Sequence, residues 1–169
     1  MTDAVDEKVA LLETVFRDIA AHRMQGVPLL HGGLRVQAVG FARTEDAALA
    51  TGVLVTPWFM NLLRLPLGRV PLLGLGEVGT VRIGPHRLGF IGAFEPALGA
   101  YEMCSLASPM WEFTDQAAAV ATAREVLAVL RQPVPAAAPD VVAGRRRFLF
   151  GRGPADGLAG AAHGAKGLR

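Results

Sequence analysis

Cys104, the single cysteine, is the residue of this sequence best suited to covalent chemistry. A cysteine becomes a nucleophile when a neighbouring base or positive charge lowers the pKa of its thiol. Residues 101–111 around it supply no His–Asp or His–Asn pair, and an unpaired cysteine is commonly a small buried apolar residue. We therefore expect a packed thiol, with thiol or redox catalysis through Cys104 as the alternative.

The histidines do not form a metal-binding pattern. None of His22, His31, His86 and His163 belongs to an H-x-x-H or H-E-x-x-H motif, and one cysteine cannot hold a cluster by cysteines alone. Zinc and other transition metals need several nitrogen or sulfur ligands that converge. The sequence predicts no metal site and no disulfide framework.

Residues 74–79 match the dinucleotide motif G-x-G-x-x-G. That motif binds a pyrophosphate only when a strand precedes it and a helix opens at its third glycine. Here Pro71 precedes the glycines, and the β-branched residues 80–83 that follow predict a strand. We interpret the motif as a glycine loop and expect no cofactor.

Two segments, 56–61 and 108–113, each place proline, methionine and aromatic residues side by side. Such residues either fill a core or line a partly exposed groove for a peptide, because aromatics dominate buried area and methionine adapts to varied partners. As candidate partner-binding residues we take Trp58, Phe59, Met60, Cys104, Pro109, Met110 and Trp111.

The C-terminal part of the chain is basic. Residues 140–169 hold six basic and two acidic residues, a net charge of +4, whereas the remaining residues hold 11 basic and 13 acidic ones, a net charge of −2. Arg145 and Arg146 precede Phe148, and a solvated arm would not need large apolar side chains. We expect residues 140–153 to dock on this domain or on an acidic partner, and we expect no nucleic-acid partner.

Hydrophobic periodicity predicts two helices, over residues 4–24 and 115–131. Between them we predict strands at 34–41, 49–56 and 98–106, a loop at 66–76, and a hairpin of 80–84 with 88–94 about Pro85 and His86. Residues 58–65 read as a short helix or an irregular apolar segment. This order predicts an α+β fold, a small antiparallel sheet packed with an N-terminal and a C-terminal helix and followed by a basic tail.

Length and composition predict one globular domain over residues 1–139. The docking arm follows at 140–153, and the glycine-rich residues 154–169 are expected to be disordered. The first twenty residues carry five acids and no apolar export signal, and the longest apolar-rich stretch, 47–63, is interrupted by Gly52 and Pro57. We expect a cytoplasmic protein without stable membrane insertion.

Four segments in register resemble the nickel–iron hydrogenase assembly chaperones of the HybE type. They are residues 24–31 (MQGVPLLH), 52–61 (GVLVTPWFMN), 101–115 with the block CSLASPM, and 143–152 (AGRRRFLFGR). The similarity covers about residues 8–153. It implies an accessory chaperone, not an enzyme, whose partners are the small or large subunit precursor and other hydrogenase accessory proteins. It also implies a role in shielding the twin-arginine (Tat) export signal of the small subunit, as in export proofreading.

Overall fold

The computed structural model describes residues 2–133, which form an α+β fold as predicted. Its elements are α1 (Ala4–His22), β1 (Gln37–Arg43), β2 (Leu49–Val55), β3 (Met60–Pro66), β4 (Val78–Ile83), β5 (His86–Glu95), β6 (Gly99–Ala107) and α2 (Gln116–Leu130). Both helices begin at the expected residue type. The Asp3 carboxylate accepts a hydrogen bond from the Val5 N–H, and that of Asp115 accepts one from the Ala118 N–H.

The six strands form one antiparallel sheet in the order β1-β2-β3-β6-β5-β4. The sheet consists of two three-stranded meanders, β1-β2-β3 and β4-β5-β6, joined where β3 pairs with β6. Residues 67–77 carry the chain from β3 at the centre to β4 at the far edge. The predicted hairpin is present as β4 and β5. Its strands have 6 and 10 residues and are longer than the predicted ranges 80–84 and 88–94.

The two helices lie on opposite faces of the sheet. Side chains of successive strand residues point to opposite faces, and in β2 Val53 and Val55 pack in the cluster with α2 whereas Leu54 packs in the cluster with α1. We call these the α2 face and the α1 face. The centre of the sheet is thus covered on both sides, and all seven residues of β2 are buried.

The prediction of a short helix or irregular segment at residues 58–65 was wrong, because this segment forms β3. A strand buried on both faces shows a continuous apolar run instead of alternation. Met60 and Leu62 face α2, whereas Leu63 and Leu65 face α1. The first strand also differs from the predicted range 34–41, because β1 runs from Gln37 to Arg43. It continues past Gly40, whose φ of 61° accompanies a register shift between Val39 and Ala42.

The predicted end of the domain, the arm at 140–153 and the tail at 154–169 lie outside the described residues. Within residues 2–133, no helix combines the length and the apolar character needed to cross a membrane.

Tyr101, the only tyrosine, provides a probe of the α1 core. Its ring packs edge-on against Phe16 at 6.4 Å, and burial, with the nearby Glu95 carboxylate, raises its pKa to about 12. We expect the phenol absorbance of the native protein to titrate about two pH units above that of the urea-unfolded chain. Because the raised pKa belongs to the folded state, this contribution to stability is complete below pH 10 and is lost as the pH rises towards 12. A native midpoint near 10 in a protein that is still folded would contradict this packing.

Candidate partner-binding surface

Three of the four segments that carry the sequence resemblance, those within residues 2–133, meet at one end of the sheet. The β2–β3 turn, the segment between β6 and α2, and the α1–β1 connection lie side by side there. The Ser108 hydroxyl donates to the Trp58 carbonyl at 3.2 Å, and the His31 N–H donates to the Pro57 carbonyl at 2.8 Å. We call this region the turn end of the sheet.

His31 joins the three segments through its ring as well as its backbone. Its Nε2 lies 2.8 Å from the Phe113 carbonyl oxygen, and its Nδ1 accepts the Gly33 N–H at 3.0 Å. Since a carbonyl can only accept, this arrangement places the ring proton on Nε2. His31 therefore acts as a structural link between these segments.

The predicted partner-binding residues divide between the core and the surface. Met60 and Met110 are 0% exposed and Cys104 is 5% exposed, all three in the cluster beneath α2. Trp111 is 61% exposed, and Pro109 is exposed beside it. In the folded protein Trp111 and Pro109 are therefore accessible to a partner, whereas Met60, Met110 and Cys104 are not. Arg145, Arg146 and Phe148 lie outside the described residues.

Trp58 and Phe59 are half-buried and form the border between the α1 core and the surface. Trp58 stacks against Phe16 with ring centroids 6.5 Å apart, and Phe59 meets the same ring edge-on at 5.8 Å. The β2–β3 turn holds them in place, since the Thr56 hydroxyl accepts the Phe59 N–H and donates to the Phe59 carbonyl. Both alternatives left open by the sequence, core and surface, therefore apply to these two rings.

Beside Phe59 a groove of about 370 Å³ opens on the α1 face. Asn61, Ile91 and Met103 line it, together with Val78 at its outer side. Asn61 is 5% exposed, and its Oδ1 has no hydrogen-bond donor among the residues the structure describes. The sequence analysis missed this groove. Its signal was Asn61, the one polar residue between Pro57 and Leu63.

The glycine motif has a structural explanation. Gly79 already lies in β4, so no helix opens at the third glycine and the geometry of a dinucleotide site is absent from this loop. Glu102, 2% exposed, accepts the Leu73 N–H at 2.9 Å and forms an ion pair with Arg64 beneath the loop. Gly92 lets the loop lie against the sheet, because a Cβ there would stand 2.0 Å from the Gly74 carbonyl oxygen.

Cys104 does not have the setting of a reactive thiol. It is buried on β6 among apolar side chains of the α2 face, and no group of three or more potential metal ligands occurs within residues 2–133. A reagent reaches a buried thiol only when the structure opens locally. This burial disfavours the alternative of thiol catalysis.

We expect Cys104 of the native protein to react with a disulfide reagent about a hundredfold more slowly than Cys104 of the urea-unfolded chain, because the reaction waits for such an opening. The release of thionitrobenzoate at pH 8 measures both rates. Cys104→Ala supplies the blank. Equal rates in the two states would show an accessible thiol and restore the catalytic alternative.

Comparison with known proteins decides the family. The sequence model of the [NiFe]-hydrogenase assembly chaperone family HybE matches residues 7–151. The chain belongs to this family. Protein HoxT of Cupriavidus necator is 44% identical over 162 residues, which cover 86% of this chain and 89% of HoxT.

Two further relatives agree with this assignment. The hydrogenase expression/formation protein HupJ of Bradyrhizobium diazoefficiens is 36% identical over 123 residues, 73% of this chain and 71% of that protein. The solution structure of HybE from Escherichia coli superposes with a TM-score of 0.60 over 95% of this chain and 91% of that one. At 21% sequence identity, this structural similarity shows that the two chains share a fold. The resemblance inferred from the four segments is confirmed.

Proposed function

We propose that this HybE-family chaperone binds a precursor of the small or large subunit of a nickel–iron hydrogenase through the turn end of the sheet. The observation that carries the proposal is Trp111, a tryptophan left 61% exposed on a segment that hydrogen bonds fix to two neighbouring turns. Exposed tryptophans on rigid supports are characteristic of residues that dominate protein–protein binding. The family assignment supplies the hydrogenase.

The protein acts in this proposal by binding, in the cytoplasm, and not as an enzyme or a nucleic-acid-binding protein. The burial of Cys104 and the apolar character of the groove support binding over catalysis. Trp111 is exposed at the turn end, and Leu29 is exposed in the α1–β1 connection that leads to it. Both side chains provide apolar contact area. Other hydrogenase accessory proteins are further candidate partners of the same surface.

Shielding of the small subunit's export signal is the finer form of this proposal. Such a signal contains an apolar stretch. In the proofreading of Tat-dependent export, a chaperone shields that stretch from water and delays export of the unfinished subunit. An apolar surface centred on one tryptophan covers such a stretch without enclosing it, which allows release.

The arm at residues 140–153 contributes to the same partner in our proposal. The family match extends to residue 151 and so includes Arg145, Arg146 and Phe148. Arginines recognise carboxylates through paired hydrogen bonds, which fits an acidic region of the precursor.

We expect deletion of residues 141–169 to change the melting temperature by less than about 4 °C, the shift that roughly 1 kcal/mol produces in a chain of this size, while precursor binding weakens. Reversing the charge of Arg145 and Arg146 to glutamate should weaken binding more at low salt than at high salt. The same reversal at Lys166 and Arg169, beyond the family match, is the control. An unfolded truncated chain would make the arm part of the core, and unchanged binding would make it dispensable.

Affinity capture tests the proposed partner. The full chain carries a tag and is recovered from its own cells while they form hydrogenase, and the bound proteins are identified by mass spectrometry. We expect unprocessed hydrogenase subunits in the bound fraction. Capture of mature hydrogenase alone, or of no hydrogenase subunit, would contradict the proposal.

A further inference from the structure

The β4 side of the α1 face is not covered by α1. Helix α1 packs on β1, and its apolar cluster extends across the sheet as far as Ala93 of β5. In β4 the three residues that alternate towards this face, Val78, Thr80 and Arg82, are exposed, whereas those facing α2 are half-buried. The groove beside Phe59 therefore continues outward to the edge of the sheet.

Two arginines stand at one end of this face. Arg82 and Arg87 are directly opposite each other in the β4–β5 pairing and are both exposed. Neither is among the ion pairs found within residues 2–133, which involve His22 and four other arginines. Like charges directly opposite on neighbouring strands destabilise a sheet. A pair of this kind forms a site for carboxylates, which arginine binds with two parallel hydrogen bonds.

The outer edge of β4 also offers backbone groups. Gly92 donates to the Glu77 carbonyl at 2.9 Å and Gly79 is paired with Phe90, so the odd-numbered residues of β4 bond to β5. The N–H and C=O groups of Val78, Thr80 and Arg82 then point to the free edge of the sheet. An extended peptide can add to such an edge as a further strand.

We propose that the groove and the β4 edge bind an extended segment of the partner that is apolar and carries at least one carboxylate, placed on Arg82 and Arg87. The apolar side chains of the segment lie against Ile91 and Val78, and an N–H donor entering the groove satisfies Asn61. This inference rests on the proposed function and names the chemistry of the bound segment.

The same charges exclude two other occupants. The twin-arginine part of an export signal and this chain's own arm at 143–152 are both basic, and each would be repelled by Arg82 and Arg87. The segment bound here is therefore distinct from the basic part of the export signal, which leaves the turn end with Trp111 available for an apolar stretch.

A peptide array distinguishes these occupants. Overlapping twelve-residue peptides that span the two hydrogenase subunit precursors of the same genome are probed with the full chain, with Arg82→Glu and with Arg124→Glu. Arg124 is an exposed arginine of α2 and serves as the matched control. We expect apolar peptides with Asp or Glu to bind the unaltered chain and the control, and to bind Arg82→Glu about tenfold more weakly. Because Arg82→Glu replaces a like-charge pair with an opposite pair, the variant should fold normally.

The proposal is overturned if the bound peptides are basic, if no peptide binds, or if Arg82→Glu binds them as well as the control does. It is also overturned if binding increases when Phe148 and Phe150 are changed to serine, because the chain's own arm would then be the occupant. Binding of the whole precursor is measured in parallel. A precursor that binds the chain and Arg82→Glu equally leaves the proposed function intact, and a precursor that binds neither contradicts the proposed function itself.

Discussion

A chain with alanine in place of Trp111 is expected to keep its fold and to bind the hydrogenase precursor about 30-fold more weakly, a loss of about 2 kcal/mol typical of a tryptophan that dominates an interface. The side chain is 61% exposed, so its removal leaves no cavity in the core, and the melting temperature should stay within a few degrees. Titration calorimetry with purified precursor and thermal unfolding measure the two effects separately.

The neighbouring residue provides the matched control. Met110 is 0% exposed in the α2 core, so Met110→Ala should lower the free energy of unfolding by about 2–5 kcal/mol. The fraction of Met110→Ala that is still folded should bind as the unaltered chain does. If Trp111→Ala unfolds the protein, or binds normally, Trp111 is not the centre of the partner surface.

Replacing Glu102 by alanine is expected to lower the free energy of unfolding by about 3 kcal/mol, because it leaves the Arg64 guanidinium without its partner in a largely buried site. The Leu73 N–H also loses its acceptor, so the loop at 67–77 should become more open to proteolysis. Urea unfolding followed by circular dichroism measures the change in stability.

An exposed ion pair serves for comparison. Arg17 pairs with Glu13 on α1, with the Arg17 side chain 57% exposed, and Arg17→Ala should cost no more than about 0.5 kcal/mol. A Glu102→Ala chain that is as stable as Arg17→Ala would show that the Arg64–Glu102 pair does not hold the loop.

The two helices and the β4–β5 hairpin could be predicted from the sequence because their signals are local. Asp3 and Asp115 are residue types that cap helices, and apolar residues recur at helical spacing behind them. Residues 58–65 could not be assigned in this way, because β3 lacks the alternation of a half-buried strand, and this follows from its central place in the sheet between two helices.

How far the candidate site could be predicted also depended on whether the signal of each residue is local. Met110 and Trp111 are neighbours of similar apolar character, and only the packing of the segment against α2 and His31 separates a core residue from an exposed one. Glu102 and Arg64 lie 38 residues apart, and Arg82 faces Arg87 only because of the hairpin register. The first pairing arises from a tertiary contact and carries no local signal in the sequence, whereas the second depends on which two residues form the hairpin turn, Gly84 and Pro85 in the structure.

Site-specific photocrosslinking tests the central claim most directly. Benzoylphenylalanine replaces Trp111 in one chain and Arg124, exposed on α2, in another, and each chain is irradiated in cells that form hydrogenase. We predict a crosslinked product with an unprocessed hydrogenase subunit from position 111 and little or none from position 124. Equal products from both positions, or none from position 111 in a folded and expressed chain, would contradict binding of the precursor at the turn end of the sheet.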